Sequence, residues 1–191
     1  GRGLACKLQP VNSNWMNRFL GKHCYRNCVI LFAILWLPQY IIRFPGAMCF
    51  DAWRSIMYYY RPAEMTTQHP LIWGLPLGWL AKFGMEHGVS WLVTAVITTV
   101  QQIVVILVIP YIVSVLKKLK LPKILLFGVI CYYSMMPTLA IYATTVYNDV
   151  LYSISVMLFI TELFCYLYDR NIFFTGKHHF ILTALSVFGT F

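Results

Sequence analysis

Apolar residues fall in long runs along this chain, separated by short polar connections whose charge alternates. The first run spans residues 28–44 and includes Val29 to Leu37, with Pro45-Gly46 closing it. At about 17 residues it sits near the lower limit for crossing a bilayer. A second run, 89–116, is rich in Val, Ile and Leu but carries Gln101 and Gln102 near its middle and Pro110 later. Amides at that depth need partners inside a bundle. Further runs cover 124–144 and 150–168, and a fifth starts at Phe180. About 12 residues cannot cross a core of about 30 Å, so the chain reads as the N-terminal part of a larger protein.

Residues 45–88 form a connection far longer than two neighbouring spans require. Within it, Trp53, Ile56, Met57 and Tyr60 recur at amphipathic helix spacing after Asp51. Their aromatic content suits the headgroup region. A largely apolar stretch from Pro70 to Phe83 follows, with Pro70 at a natural first helical position. Interrupted by Gly74, Pro76 and Gly78, it is too short to span and predicts an interfacial or re-entrant helix.

Charge then orients the spans. Lys117, Lys118, Lys120 and Lys123 share one short connection, Arg2, Lys7, Arg18, Lys22 and Arg26 precede the first span, and Arg170 and Lys177 follow the fourth. Basic residues in short loops mark the cytoplasmic side. Asp51, Glu64, Glu86 and Asp149 fall on the opposite side, with Glu162 inside a span and Asp169 on the basic side. The expected arrangement is a cytoplasmic N-terminus and an outer face that carries most of the acids.

Composition agrees: 60% hydrophobic and 11% charged residues are too apolar for a soluble domain. The net charge of +9 does not point to nucleic acid, because the basic residues cluster beside apolar spans, where topology and anionic lipid account for them. The six cysteines follow no zinc spacing or disulfide framework, and Cys24 and Cys28 read as small apolar filler at a helix start.

Several residues could carry chemistry on the outer face. Asp51 lies just beyond the exit of the first span, where a carboxylate can face water and bilayer at once; it also suits the N-cap of a helix over 52–60. Asp149, after Tyr147 and Asn148, closes a very short outer loop and reads locally as the cap of the fourth span. His69 could bond a phosphate or orient a carboxylate, or simply start a helix. Arg43, Arg54 and Arg61 place guanidinium groups, which grip phosphate by forked hydrogen bonds, around the long loop; interface anchoring is the simpler role for Arg43 and Arg61. Glu162 reads as a structural pair with a polar group on a neighbouring helix, and the adjacent His178 and His179 are expected to point different ways.

Phe44-Pro45-Gly46 through Phe50-Asp51-Ala52-Trp53, His69-Pro70-Leu71 and Tyr147-Asn148-Asp149-Val150-Leu151 together resemble the N-terminal part of GT-C glycosyltransferases. These are polytopic membrane enzymes that use polyprenyl-phosphate-linked sugars. The likeness extends over residues 28–191, in the order of spans and the long first outer loop. It implies an all-α, GT-C-like transmembrane helix bundle with interfacial helices flooring an outward cavity. It assigns Asp51 as catalytic base and Asp149 as support for a metal or the donor phosphate, where His69 and Arg54 are the further candidates for phosphate contact by their chemistry. A divalent metal at Asp149 is compatible with it, and no other cofactor is implied. Many members carry paired acids at the first site and a second Pro after His-Pro, whereas this chain has Asp51-Ala52 and His69-Pro70-Leu71.

The implied partners are a polyprenyl-phosphate-linked sugar, a cell-envelope glycan, lipid or protein acceptor, and membrane lipid, with no nucleic acid. The implied location is the bacterial plasma membrane. Two other classes remain open: a transporter or flippase-like protein in which Gln101, Gln102 and Glu162 line a pathway, and a non-catalytic membrane subunit. Transporters usually show internal repeats, and none is evident in the sequence.

Overall fold

A glycine in the left-handed region sets the end of the first long helix. Gly46 has φ of +111°, and a Cβ there would fall 2.5 Å from the Thr98 methyl. The Thr98 hydroxyl in turn donates to the Pro45 carbonyl at 2.9 Å, so the chain leaving that helix is pinned against a neighbour. The structure is a computed structural model and describes residues 14–61 and 71–190.

The molecule is all-α, with 84% of the described residues helical. A short α1 (Asn14–Phe19) precedes α2 (Cys24–Arg43). Then come β1 (Ala47–Met48), α3 (Phe50–Tyr60), α4 (Leu71–Glu86) and α5 (Ser90–Lys118). The chain continues through α6 (Lys123–Met135), α7 (Pro137–Ala143), β2 (Thr145–Val146) and α8 (Asn148–Tyr168), ending with α9 (Arg170–Thr175) and α10 (Lys177–Gly189). Helices α2, α5 and α8 are long and apolar enough to cross a membrane, and the bent pair α6–α7 makes a fourth candidate.

Helix α5 is the central post, touching α2, α4, α6, α7 and α8. Cys24, Cys28, Phe32 and Trp36 recur every four residues on α2 and bury one face against Val105, Ile109 and Val113 of α5 and Leu126 and Ile130 of α6. The opposite face of α2 leaves Ile30, Ile34, Leu37, Ile41 and Ile42 exposed. So much exposed apolar surface on the longest helices is that of a membrane protein. In lipid, such a bundle is held by close packing and internal hydrogen bonds rather than by removal of apolar area from water.

Buried polar groups fulfil that requirement. The Gln101 Nε2 donates to the carbonyls of Tyr142 at 3.1 Å, Ala143 at 3.3 Å and Thr145 at 2.8 Å, satisfying groups that the end of α7 leaves open. Trp36 Nε1 donates to the Ser134 carbonyl at 3.1 Å. At the basic end, Glu162 is fully buried and accepts from the Tyr111 hydroxyl at 2.6 Å while pairing with His179 Nδ1 at 2.7 Å. The expected structural pairing of Glu162 is therefore present, and its partners lie on α5 and α10.

Several expectations need correction. The third run is no single helix: Met136 is extended ahead of Pro137, as a residue before proline prefers, and α6 and α7 meet at 58°. Helix α4 runs unbroken through Gly74, Pro76 and Gly78 as far as Glu86. Its glycines serve as a contact face, since a Cβ at Gly78 would lie 2.3 Å from the Ser55 carbonyl oxygen. On α3, Ala52, Ser55 and Ile56 turn inward, whereas Trp53, Met57 and Tyr60 of the expected stripe stay exposed with Phe50. The rings of His178 and His179 lie 4.2 Å apart, tilted by 34°, although only His179 is buried.

Candidate active site

Two strand–turn–helix units lie side by side at the acidic end of the bundle. Strands β1 and β2 pair in parallel, Ala47 opposite Thr145 and Met48 opposite Val146. The backbone N–H of Ala47 donates to the Thr144 carbonyl, and that of Cys49 to the Val146 carbonyl. The Cys49 thiol also points at the Val146 carbonyl, 3.1 Å away, and burial pushes its pKa up. Each strand turns through one residue into a helix, α3 or α8. Asp51 stands four residues beyond Ala47, and Asp149 four residues beyond Thr145. The two carboxylates thus occupy equivalent positions on parallel units.

Neither aspartate is a helix cap. The N-cap positions are Cys49 and Tyr147, and both aspartates sit one step inside the first turn. There the aligned peptide dipoles favour a negative charge. The cap roles considered from local sequence are thereby set aside. The reason is that both helices begin earlier than the polar residues suggest, immediately after the strand pair.

Tyr147 is tied to Asp149 and lies in the field of Asp51. Its phenol is hydrogen-bonded to Asp149, and this bond, then burial, then the charges of Asp149, Asp51 and Cys49, raise its pKa. Its ring stacks on Tyr142 at 6.0 Å, which fixes its orientation. Tyr147 thus responds to both acids, and nothing in its local sequence singles it out beyond the run Tyr147-Asn148-Asp149.

Behind them, Asn148 is completely buried, an unusual place for an amide. Its Nδ2 donates to the Ser55 hydroxyl at 2.9 Å, and that hydroxyl donates to the Asp51 carbonyl at 3.1 Å. Gly74 makes room: a Cβ there would come within 3.3 Å of the Ser55 hydroxyl and 3.4 Å of the Asn148 amide. The Asn148 Oδ1 has no hydrogen-bond partner among the described residues. This chain ties the first turn of α3 to the first turn of α8, and sequence reasoning did not identify Ser55 or Asn148.

Asp149 also borders an apolar cavity of about 240 Å³ among α2, α5, α6, α7 and α8. Trp36, Val105, Ile109, Leu139 and Met157 form much of its wall, and Asp149 is the one carboxylate there among the described residues. Among the remaining expected site residues, Arg54 lies with its guanidinium 5.7 Å from the Phe50 ring centre. Arg43 reaches the Thr145 hydroxyl at 3.5 Å. His69 lies outside the described residues. Among the described residues, no three His, Cys, Asp or Glu side chains converge as a metal centre. Comparison of the chain with known families, with curated proteins and with solved structures finds no match.

Proposed function

We propose that the chain carries the acidic site of a membrane glycosyltransferase of the GT-C type, moving a sugar from a polyprenyl-phosphate donor to an acceptor hydroxyl at the outer face. The observation that carries this reading is the equivalent placement of Asp51 and Asp149 on parallel strand–helix units, with Tyr147 feeling both. Two acids on unrelated helices have no reason to share a register. An apolar cavity beside one of them fits the prenyl chain of such a donor.

In this reading the Asp51 carboxylate accepts the proton of the acceptor hydroxyl as its oxygen attacks the anomeric carbon. The bond from that carbon to the phosphate oxygen breaks, polyprenyl phosphate leaves, and the configuration inverts. Asp149 and Tyr147 organise the donor end, with Arg54 and His69 as sources of positive charge or hydrogen bonds to phosphate. Asp149 is the residue that would hold a divalent cation, because a hard ion needs only one or two carboxylates beside phosphate oxygens. The base step runs without it. The bonds of Gln101 and Glu162 weigh against a mid-membrane pathway, since the Gln101 amide donates to backbone carbonyls and the Glu162 carboxylate is held by the Tyr111 hydroxyl and the His179 ring.

The test is Asp51→Asn in the full-length protein. Transfer should fall by about two to four orders of magnitude, the usual worth of a positioned base, while donor binding and folded yield stay near normal. Near-normal turnover would overturn the assignment.

A further inference from the structure

Among the described residues, the basic end of the bundle holds positive charge with no carboxylate paired to it. An open cavity of about 670 Å³ lies there between the last turn of α5 and the α9–α10 junction. Lys118, Asn171, Thr175, Lys177 and His178 border it. Two acids are close enough in sequence to compensate, and both are committed elsewhere. The Asp169 carboxylate caps α9, accepting from the backbone N–H groups of Asn171 at 3.1 Å and Ile172 at 3.3 Å. Glu162 is buried against Tyr111 and His179. Among the described residues, neither Lys118 nor Lys177 has a carboxylate partner.

His178 lies at this cavity, its pKa lowered first by partial desolvation and then by His179 and Lys118, with Glu162 opposing. Helix α10 begins at the same place, with Gly176 at its N-cap and no side-chain cap bond, so the positive end of its dipole adds to the lysines. Beside the cavity stands an aromatic patch: Phe174 and Phe180 are exposed, their rings 5.7 Å apart. Cationic cavity and exposed aromatic surface together have the two-part chemistry of a membrane boundary.

We propose that this cavity binds the phosphate headgroup of an anionic phospholipid. Lys118 and Lys177 supply the charge, Asn171 and Thr175 supply polar contacts, and the acyl chains run over Phe174 and Phe180. A free phosphate would satisfy the lysines equally but leaves the aromatic patch uncovered, which is why the lipid is favoured. The inference concerns the end of the bundle opposite Asp51 and does not depend on the transferase reading.

The experiment uses the full-length protein in nanodiscs of phosphatidylglycerol or of phosphatidylcholine, with tightly held lipid counted by native mass spectrometry after detergent extraction. Phosphatidylglycerol should be retained, and the Lys118→Gln/Lys177→Gln pair should weaken its retention by about 30-fold, the worth of two lysines at an anionic surface. Lys118→Arg/Lys177→Arg should restore it. Arg26→Gln/Lys120→Gln removes the same charge from exposed positions at the same end but outside the cavity, and should change retention by less than about threefold. Equal losses in the two glutamine pairs would mean general surface attraction and overturn the site. So would a protein that holds both lipids alike, or one that binds inorganic phosphate in lipid-free micelles while showing no lipid preference.

Discussion

Tyr147 is bonded to one carboxylate of the acidic end and lies in the field of the other. Its phenol donates to Asp149 and lies in the field of Asp51, so the protonated form is favoured and the pKa rises above the ordinary 10.0. A group raised in this way contributes stability in full below the unfolded value, here about pH 10, and loses it as pH climbs through the folded value. Ultraviolet titration of the 13 tyrosines should therefore show one fewer late-ionising phenol in Tyr147→Phe. Above pH 10 the wild type should lose stability faster than the variant. Titration of Tyr147 together with the exposed tyrosines would sever its link to Asp149. Asn148 shows the same logic from the packing side: a fully buried amide is tolerable because Ser55 takes one of its hydrogens.

At the scale of elements, glycine placement decides how closely α3 and α4 approach. A Cβ on Gly78 would meet the Ser55 carbonyl oxygen at 2.3 Å, whereas one on Gly128 of α6 would meet nothing within 4 Å. Gly78→Ala should cost about 1–3 kcal/mol by forcing the two helices apart. Gly128→Ala should stabilise by about 0.5–1 kcal/mol, since helical glycine carries an entropic penalty and nothing opposes the methyl. Thermal unfolding in detergent of both variants measures the difference; a neutral Gly78→Ala would show that α3 and α4 are not in such close register. Because Ser55 also supports Asp51 through its carbonyl, a displaced α3 should lower activity along with stability.

At the scale of the molecule, the long helices divide the chain into a basic end and an acidic end. Lys117 reaches the Gly21 carbonyl and Lys118 borders the α9–α10 cavity, whereas Pro45, Thr98, Thr145 and Asp149 gather at the opposite end. In the orientation proposed from positive charge in short loops, the first end faces the cytoplasm. In a background lacking accessible native cysteines, Arg61→Cys should be labelled by an impermeant maleimide from outside and Lys120→Cys should be spared. Both positions are exposed, so accessibility alone cannot produce the difference. The reverse labelling would put Asp51 on the cytoplasmic side and remove the outer face from the proposed chemistry.

The run lengths, the proline and glycine at 45 and 46 and the charge asymmetry were sufficient to locate α2, α5 and α8 and to separate α3 and α4 from them, because bilayer thickness makes segment length a strong constraint. Composition likewise determined the class, and Glu162 demanded a polar partner wherever the chain could supply one. Which partner it took was a tertiary matter, since Tyr111 and His179 lie 51 and 17 positions away along the chain and meet it only through packing of α5, α8 and α10. The bend at Met136, the inward face of α3 and the true start of α8 were likewise decided by neighbours: local periodicity cannot say which side of a mostly apolar helix will be covered. Above all, the pairing of residues 47–48 with 145–146 carries no signal in either segment, because two-residue strands are stabilised by each other and by Thr98 and Gln101 rather than by their own propensity. Asp51 and Asp149 were visible as residues; their equivalence arises only when the backbone hydrogen bonds of that pair bring the two helix starts into register.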